Sequence, residues 1–229
     1  MRYAVIGTGT VGRTLAARLA DLGHEVRIGT RDVERTLAGT EPDGYGNPPF
    51  AHWLVDHPEL RLTTFAAAAE FAEVVVNASM GTASLAALTA AGAENLAGKL
   101  LIDVANPLDF SRGLPPTLDP VNTDSLGEQI QRAFPAARVV KTLNTMNAGV
   151  MVDPQRVPGP HDVFLCGEDE IAKKETVGLL TAFGWPPDRV IDLGGIGSAR
   201  GLEQVLPLWL SLWGTLGHWD FNFHVRSAR

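Results

Sequence analysis

The first thirty-one residues constrain the fold most strongly, because they combine two apolar runs with a glycine-rich turn. The first run, residues 3–6, leads into the sequence Gly7-Thr8-Gly9-Thr10-Val11-Gly12. Leucine and alanine recur at helical spacing over residues 15–22, and a second apolar run covers residues 26–29. This order predicts a strand, a glycine turn, a helix and a second strand, which together form a βαβ unit.

Each glycine of the turn has a separate role in the dinucleotide-binding pattern GxGxxG. Gly7 permits a tight turn out of the strand, Gly9 lets the backbone approach a pyrophosphate, and Gly12 lets the helix pack closely on the sheet. The helix N-terminus also offers unpaired N–H groups and a partial positive charge to a phosphate. We therefore expect a bound dinucleotide here, and a purely structural glycine turn is the alternative.

The residues at the end of the second strand indicate which dinucleotide binds. NAD sites usually have Asp or Glu at this point, where the carboxylate accepts hydrogen bonds from the ribose 2′-hydroxyl. This chain has Thr30 and Arg31 there, with Arg35 one helical turn later. A hydroxyl and two guanidinium groups can hold a 2′-phosphate, whereas a carboxylate would repel it. Asp32 is acidic but fits the N-cap of a helix that carries Arg35, so we expect NADP(H) rather than NAD(H).

The rest of the chain alternates predicted strands with predicted helices. This alternation predicts an α/β fold, a Rossmann-type, doubly wound, mostly parallel sheet with a small C-terminal α/β extension. We assign an NADP-binding core to residues 1–142 and the extension, which walls the cleft, to residues 143–229, within one compact unit. Residues 39–62 are an insertion that either shapes the cleft or decorates the surface, and we favour decoration.

Three predicted strands end in small, apolar or amide residues. Ligands of open α/β sheets bind beyond the carboxyl ends of the strands, so these residues are candidates to line the cleft. The set comprises Ala78, Ser79, Met80, Asn106, Asn144, Thr145 and Met146.

Composition excludes several kinds of partner. The chain has 19 basic and 26 acidic residues, a net charge of −7, and no run of Lys or Arg, which argues against a nucleic-acid partner. No apolar run approaches the length of a membrane span, and the chain starts directly in a predicted strand, so we expect no membrane association, no signal peptide and a cytoplasmic location.

The single cysteine, Cys166, lies in an apolar run and we expect an inert, buried thiol. His52 and His57 lack partners at metal-ligand spacing, so we expect no metal.

Several separate blocks resemble the coenzyme F420-dependent NADP oxidoreductase family. They are GTGTVG with HEVRIGTR, then ARVVKTLNTMNA, then DVFLCGEDEIAKKETVGLLTAFGW followed by VIDLGGIGSARGLEQVLPLWLSLW. The ferrireductase domains of the mammalian STEAP proteins are more distant relatives of the same type. The resemblance covers nearly the whole chain and is weakest over residues 39–62.

The resemblance implies a Rossmann core that holds NADP(H) and a hydride that passes directly between the nicotinamide and a planar deazaflavin (F420) or flavin. It also implies a homodimer in which the C-terminal helix contributes to packing. Direct transfer between stacked rings depends on proximity and orientation, so we expect no catalytic acid or base. The positions that match the family are Thr8, Gly9, Thr10 and Val11 at the phosphate turn, and Thr30, Arg31 and Arg35 at the 2′-phosphate, where Ser-Arg is more usual than Thr-Arg.

Lys141 and Asn144 leave a second chemistry open. Their spacing would let both reach a carbonyl, so a reductase of small carbonyls or imines would use Lys141 as the proton donor. The alternative is a strand lysine whose stem packs while its ammonium pairs with a carboxylate. A non-enzymatic NADP(H)-binding sensor is a further alternative that the fold alone would permit.

The C-terminal segment carries Trp209, Trp213 and Trp219 together with several leucines. At helical spacing this stripe favours core packing or a dimer interface over a cofactor contact. Arg200 and Glu203 lie within one helical turn and predict a local salt bridge.

Overall fold

The computed structural model describes residues 1–43 and 46–228. Eight strands form the main sheet within these residues, and two short strands, β6 and β7, pair separately as an antiparallel hairpin. The strands are β1 (Arg2–Ile6), β2 (Glu25–Thr30), β3 (Arg61–Thr64), β4 (Val74–Asn77), β5 (Leu100–Asp103), β6 (Leu108–Asp109), β7 (Thr117–Leu118), β8 (Arg138–Thr142), β9 (Val163–Cys166) and β10 (Val190–Asp192).

The main sheet has the strand order β3-β2-β1-β4-β5-β8-β9-β10. The pairs from β3 to β8 are parallel, β9 runs antiparallel to β8, and β10 is parallel to β9. The chain leaves β1 toward β2 on one side and returns to β4 on the other, so the order reverses between β1 and β4. Such a reversal opens a crevice at the carboxyl ends of the strands. The prediction of a doubly wound, mostly parallel sheet is confirmed.

Helices cover both faces of the sheet and give it two cores. Tyr3 and Val5 of β1 face one core, and Ala4 and Ile6 face the other, because side chains alternate along a strand. The helices are α1 (Thr10–Asp21), α2 (Val33–Ala38), α3 (Phe50–Val55), α4 (Phe65–Phe71), α5 (Gly81–Ala91), α6 (Ala93–Leu96), α7 (Leu126–Ala133), α8 (Ala148–Val152), α9 (Glu170–Phe183), α10 (Ala199–Gln204) and α11 (Leu206–Leu216).

The central strands are buried on both faces, which explains their continuous apolar sequence. All four residues of β4 and all four of β5 are buried. Both strands end in a polar residue, Asn77 and Asp103, and these two residues are register partners. The last residues of β4 and β5 are therefore polar, whereas the preceding residues of these two strands are apolar.

The C-terminal part differs from the sequence prediction in detail. The apolar residues from Ala199 to about Leu216 predict one helix, but the segment forms two helices that meet at Val205. Pro207 explains the break, because proline lacks an N–H and its ring crowds the carbonyl four residues earlier. The same eight-stranded sheet continues across the predicted domain boundary, and the division at residue 142 stays a prediction. In the described part of the chain, no helix is both long and apolar enough to cross a membrane.

Candidate active site

The glycine turn after β1 has the shape that close approach of a ligand requires. Gly7 has φ +128°, and a Cβ there would overlap the carbonyl oxygen of Ala78 at the end of β4. A Cβ on Gly12 would overlap the carbonyl oxygen of Gly7, so α1 packs tightly onto the turn. A Cβ on Gly9 would meet nothing within 4 Å. The turn is therefore closed on the protein side and open at Gly9, on the side where a ligand would approach.

The first turn of α1 adds hydrogen-bond donors beside this opening. Gly9 is the N-cap and has no side chain to satisfy the exposed N–H groups, and the first turn contains no acidic residue. Unsatisfied N–H groups and the helix dipole favour an anion at this position. The residues from Gly9 to Val11 thus form a cradle that a Cβ on Gly9 would fill and that suits the diphosphate of a dinucleotide.

Two residues that the sequence did not single out, Arg13 and Asn47, join the insertion to this turn. Arg13 donates to the carbonyl of Thr8 (2.9 Å) and to that of Pro48 (2.6 Å), and its side chain is buried. Asn47 donates to the hydroxyl of Thr10 (2.6 Å). The insertion therefore contacts the turn directly, which favours a role in shaping the cleft over the decoration that we expected.

The environment of Arg13 is unusual for an arginine. Burial lowers the pKa of its guanidinium and nearby Asp43 opposes the shift. The guanidinium also lies over the rings of Phe50 (5.2 Å) and Trp53 (5.8 Å) of α3. The one sequence signal for this contact was a basic residue directly after the last glycine of the turn.

The end of β2 exposes two guanidinium groups. Arg31 and Arg35 are exposed, and neither side chain has an ion-pair partner among the described residues. Asp32 accepts the N–H of Arg35 (2.9 Å), which confirms its role as the N-cap of α2. Thr30 differs from expectation: it is buried and bonds to Thr36 (2.8 Å), which itself donates to a carbonyl. Thr30 therefore donates its hydroxyl proton to Thr36. Of the three residues expected at the 2′-phosphate, the two arginines are the ones whose side chains can donate to it.

The residues that follow β4 and β5 lie at the same edge of the sheet, the one formed by the carboxyl ends of the parallel strands. Ala78 and Ser79 are half-buried, and Met80 is 63 % exposed. A Cβ on Gly81, the first residue of α5, would overlap the carbonyl oxygen of Asn106, so the two segments touch. The predicted residues after β4 and β5 are thus adjacent at one edge of the sheet.

The turn after β8 also lies at this carboxyl edge of the sheet. Asn144 donates to the side chain of Asn106 (2.9 Å) and to the carbonyl of Leu202 in α10 (3.1 Å). Asn106 donates to the carbonyl of Asn144 (2.8 Å) in return. Leu143 has φ +63°, a left-handed conformation that is uncommon outside glycine. Met146 is buried beside Thr145.

Two polar atoms of this turn are buried without a hydrogen-bond partner. They are the side-chain oxygens of Asn144 and Thr145, and each residue is 2 % exposed. A buried polar atom without a partner costs about 1–3 kcal/mol. The turn therefore retains hydrogen-bonding capacity that the protein itself does not use.

Lys141 is not positioned to act on a ligand. It is fully buried, and its ammonium contacts Asp103 (2.8 Å), Glu203 (2.9 Å) and the carbonyl of Ala105. These three acceptors use all three of its N–H groups. Burial lowers the pKa of Lys141, but Asp103 and Glu203 raise it more, so the pKa lies above its usual value and the lysine is charged. The structure supports the carboxylate-paired strand lysine over the catalytic proton donor.

The predicted pairing of Arg200 with Glu203 is wrong. Arg200 binds Glu128 of α7 through two hydrogen bonds (2.8 and 2.6 Å), and Glu203 binds Lys141. Each residue finds a partner on another element, because tertiary packing supplies closer ions than the helix itself. Both contacts fasten α10 to the rest of the fold.

The predicted packing of the tryptophans is confirmed within the chain. Trp213 stacks on Trp219 (4.2 Å between ring centroids), and Trp209 stacks on Phe221 (5.1 Å). Trp213 and Trp219 are still 36 % and 39 % exposed. Part of this aromatic surface therefore faces away from the protein core.

Comparison with known proteins agrees with this geometry. Residues 2–107 match the family model described as NADP oxidoreductase, coenzyme F420-dependent. The F420-dependent NADP reductase of Methanothermobacter marburgensis is 31 % identical over 222 residues, which are 93 % of this chain and 92 % of that protein. The metalloreductase STEAP3 of Rattus norvegicus is 31 % identical over 212 residues, 91 % of this chain but 38 % of STEAP3, so the chain spans well under half of that relative.

A solved structure from Arthrobacter sp. FB24, provisionally described as an F420-dependent NADP reductase, is 62 % identical to this chain. It superposes with a TM-score of 0.94, and the match covers 98 % of this chain and 99 % of that one. The agreement extends over both the glycine turn and the C-terminal extension. The chain therefore belongs to the family of coenzyme F420-dependent NADP oxidoreductases.

Proposed function

We propose that the protein transfers hydride between NADPH and a planar ring acceptor of the deazaflavin or flavin type. The observation that carries the proposal is the composition of the sheet edge. One end has an open glycine cradle and two arginines that have no ion-pair partner among the described residues, and the other has small, apolar and amide side chains. The first end suits an NADP(H) diphosphate and 2′-phosphate, and the second suits a flat ring.

The residues assigned to NADP(H) have distinct tasks in this proposal. The N–H groups from Gly9 to Val11 bind the diphosphate, and Arg31 and Arg35 bind the 2′-phosphate through charge-assisted hydrogen bonds. Ala78, Ser79 and Met80 line the middle of the cofactor site. Bound there, NADPH supplies the hydride, and the nicotinamide end lies toward Asn106 and the turn after β8.

The acceptor end needs orientation rather than acid–base chemistry. Asn106, Asn144, Thr145 and Met146 carry no group that titrates near neutral pH. Hydride transfer between two stacked rings requires close contact and exclusion of water, which such side chains can provide.

A homodimer is part of the proposal. The C-terminal α11 exposes Leu208 (55 %), Trp213 (36 %) and Leu216 (48 %), which form an apolar surface on a chain of net charge −7. Apolar and aromatic surface of this kind is typical of subunit interfaces. Sedimentation equilibrium tests this part: a single species at the monomer mass at micromolar concentration would contradict it. A cytoplasmic location also remains part of the proposal.

Anaerobic oxidation of NADPH, followed at 340 nm, tests the function. F420, FMN, FAD and a ferric chelate are offered separately, each with NADPH and with NADH. We expect a ring acceptor to be reduced with a strong preference for NADPH. Tight binding of NADPH with no reduction of any acceptor would refute the oxidoreductase and favour a sensor that reports cofactor occupancy.

A further inference from the structure

A row of four buried polar side chains crosses the sheet directly beneath the cleft. Asn77, Asp103 and Lys141 are register partners on β4, β5 and β8, and Glu203 of α10 ends the row. Asn77 donates to Asp103 (2.8 Å), and Lys141 contacts Asp103 (2.8 Å) and Glu203 (2.9 Å). None of the four is more than 2 % exposed.

Burying these four polar side chains costs free energy that apolar side chains at the same positions would not cost. Buried ion pairs lose hydration, and apolar replacements of similar volume are often as stable or more stable. The preceding residues of β4 and β5 are valines, leucines and isoleucine, so these strands accommodate apolar side chains. A fully connected polar network can instead fix one arrangement of the segments that it joins.

The row holds the segments that lie at the sheet edge. Asn77 accepts from the Ser79 hydroxyl (2.6 Å), and Asp103 accepts the N–H of Ala105 (3.2 Å), whose carbonyl accepts from Lys141. The residues after β4 and after β5 are thus both bonded to the row. Ser79 and the neighbour of Ala105, Asn106, are cleft residues.

Glu203 connects α10 to α7 and β8. Its carboxylate accepts the N–H groups of Leu126 (2.9 Å) and Gly127 (3.0 Å) at the start of α7 while it contacts Lys141 of β8. The carbonyl of the adjacent Leu202 accepts from Asn144. Glu203 therefore links α10 to both β8 and α7, and it supports the hydrogen bond from Asn144 to Leu202 that orients the Asn144 side chain.

We propose that Glu203 is a positioning residue for the ring acceptor. Through α10 it keeps Asn144 aligned with Asn106 at the acceptor end. Within the described residues, no hydrogen bond or ion pair joins it to the glycine turn or to Arg31. This inference rests on the proposed function, because it concerns the acceptor of that reaction. Loss of Glu203 weakens acceptor binding and leaves the phosphate contacts of NADP(H), which supply most of its affinity, intact.

Glu203→Gln is a suitable variant because it keeps the size of the side chain and removes only its charge. The row contains one cation and two carboxylates, and the substitution leaves the Lys141–Asp103 pair neutral. Glu128→Gln is the matched control, since it weakens another contact between α7 and α10, the one with Arg200, whose side chain is 43 % exposed. If Glu203→Gln does not fold, Glu203→Asp replaces it, because it keeps the charge and shortens the reach by one methylene.

The test measures binding of oxidised FMN or oxidised F420 through quenching of its own fluorescence, in the presence of saturating NADP⁺, where no hydride can move. We expect the acceptor Kd to rise about tenfold in Glu203→Gln and to stay within about twofold in Glu128→Gln. The NADPH Kd should stay within about twofold in both variants.

An unchanged acceptor Kd in Glu203→Gln would overturn the inference. Equal weakening of acceptor and NADPH binding in both variants would also overturn it, since that result indicates general loosening of the α7–α10 contact. A wild-type protein that binds NADPH but neither ring would refute the proposed function itself. The three results are distinguishable within one set of titrations.

Discussion

Gly12 packs against the carbonyl oxygen of Gly7 so closely that a Cβ on Gly12 would overlap it. Gly9 lies between them in sequence, yet a Cβ there would meet no protein atom within 4 Å. One glycine is therefore required by the packing of α1, and the other leaves space outside the protein. This difference separates stability from cofactor binding within a single motif.

The pair Gly9→Ala and Gly12→Ala tests this separation. Overpacking costs about 1–3 kcal/mol, so Gly12→Ala should lower Tm by roughly 2–12 °C for a chain of this size. Gly9→Ala should leave Tm nearly unchanged and weaken NADPH binding by about tenfold or more, because the methyl group occupies the approach to the diphosphate. Calorimetry and NADPH fluorescence titration measure the two effects. Unchanged NADPH affinity in a folded Gly9→Ala protein would contradict the assignment of the cradle.

Arg31→Ala and Arg35→Ala should change cofactor selectivity. A hydrogen bond to a charged group contributes about 1.5–3 kcal/mol, so each substitution should raise the NADPH Kd about tenfold to a hundredfold. The NADH Kd should stay the same, because NADH has no 2′-phosphate. Arg61→Ala is the control, since Arg61 is exposed at the opposite, amino end of β3. Equal losses of affinity for NADPH and NADH would show that the arginines do not bind the 2′-phosphate.

The thiol of Cys166 should be unreactive in the folded protein. It is fully buried, and burial raises its pKa to about 12, so almost no thiolate is present at pH 8. We expect no reaction with a disulfide reagent over minutes under native conditions and complete labelling in guanidinium chloride. Rapid labelling of the native protein would indicate an accessible thiolate and would reopen a chemical role for this residue.

Asp124 should contribute to stability in a pH-dependent way. Its two-point contact with Arg132 (2.7 and 3.0 Å) holds the pKa of the carboxyl at about 2, below the ordinary 3.8. A lowered pKa stabilises the folded state above pH 3.8, and this contribution is lost as the pH falls through the folded-state value. Urea unfolding at pH 5 and pH 3 should therefore show a smaller difference between wild type and Asp124→Asn at the lower pH. A difference that does not shrink would contradict the ion pair.

The parts of the molecule that the sequence predicted well depend on local pattern. The βαβ unit and the N-cap role of Asp32 follow from periodicity and capping preference, which act over a few residues. The edge residues were also identifiable, because parallel strands bring their carboxyl ends together.

The parts that the sequence did not predict depend on contacts between distant segments. Arg13 contacts Pro48, 35 residues away, and Arg200 contacts Glu128, 72 residues away. Local spacing favoured a pair between Arg200 and Glu203, but the folded chain offers each a better partner. Lys141 could be placed at a strand end from the sequence, yet only the tertiary structure shows that Asp103 and Glu203 enclose it.

Direct hydride transfer is tested with NADPH that carries deuterium at nicotinamide C4, on the side the enzyme uses, and with F420 or 5-deazariboflavin as the acceptor of the label. Hydrogen at C5 of a reduced deazaflavin does not exchange with water, so mass spectrometry can read the label. Direct transfer predicts one deuterium at C5 of the reduced ring, and none at C5 when unlabelled NADPH reacts in deuterated water. A reduced ring without deuterium from either C4 isomer of the labelled NADPH, or no reduction of any ring acceptor, would contradict direct hydride transfer.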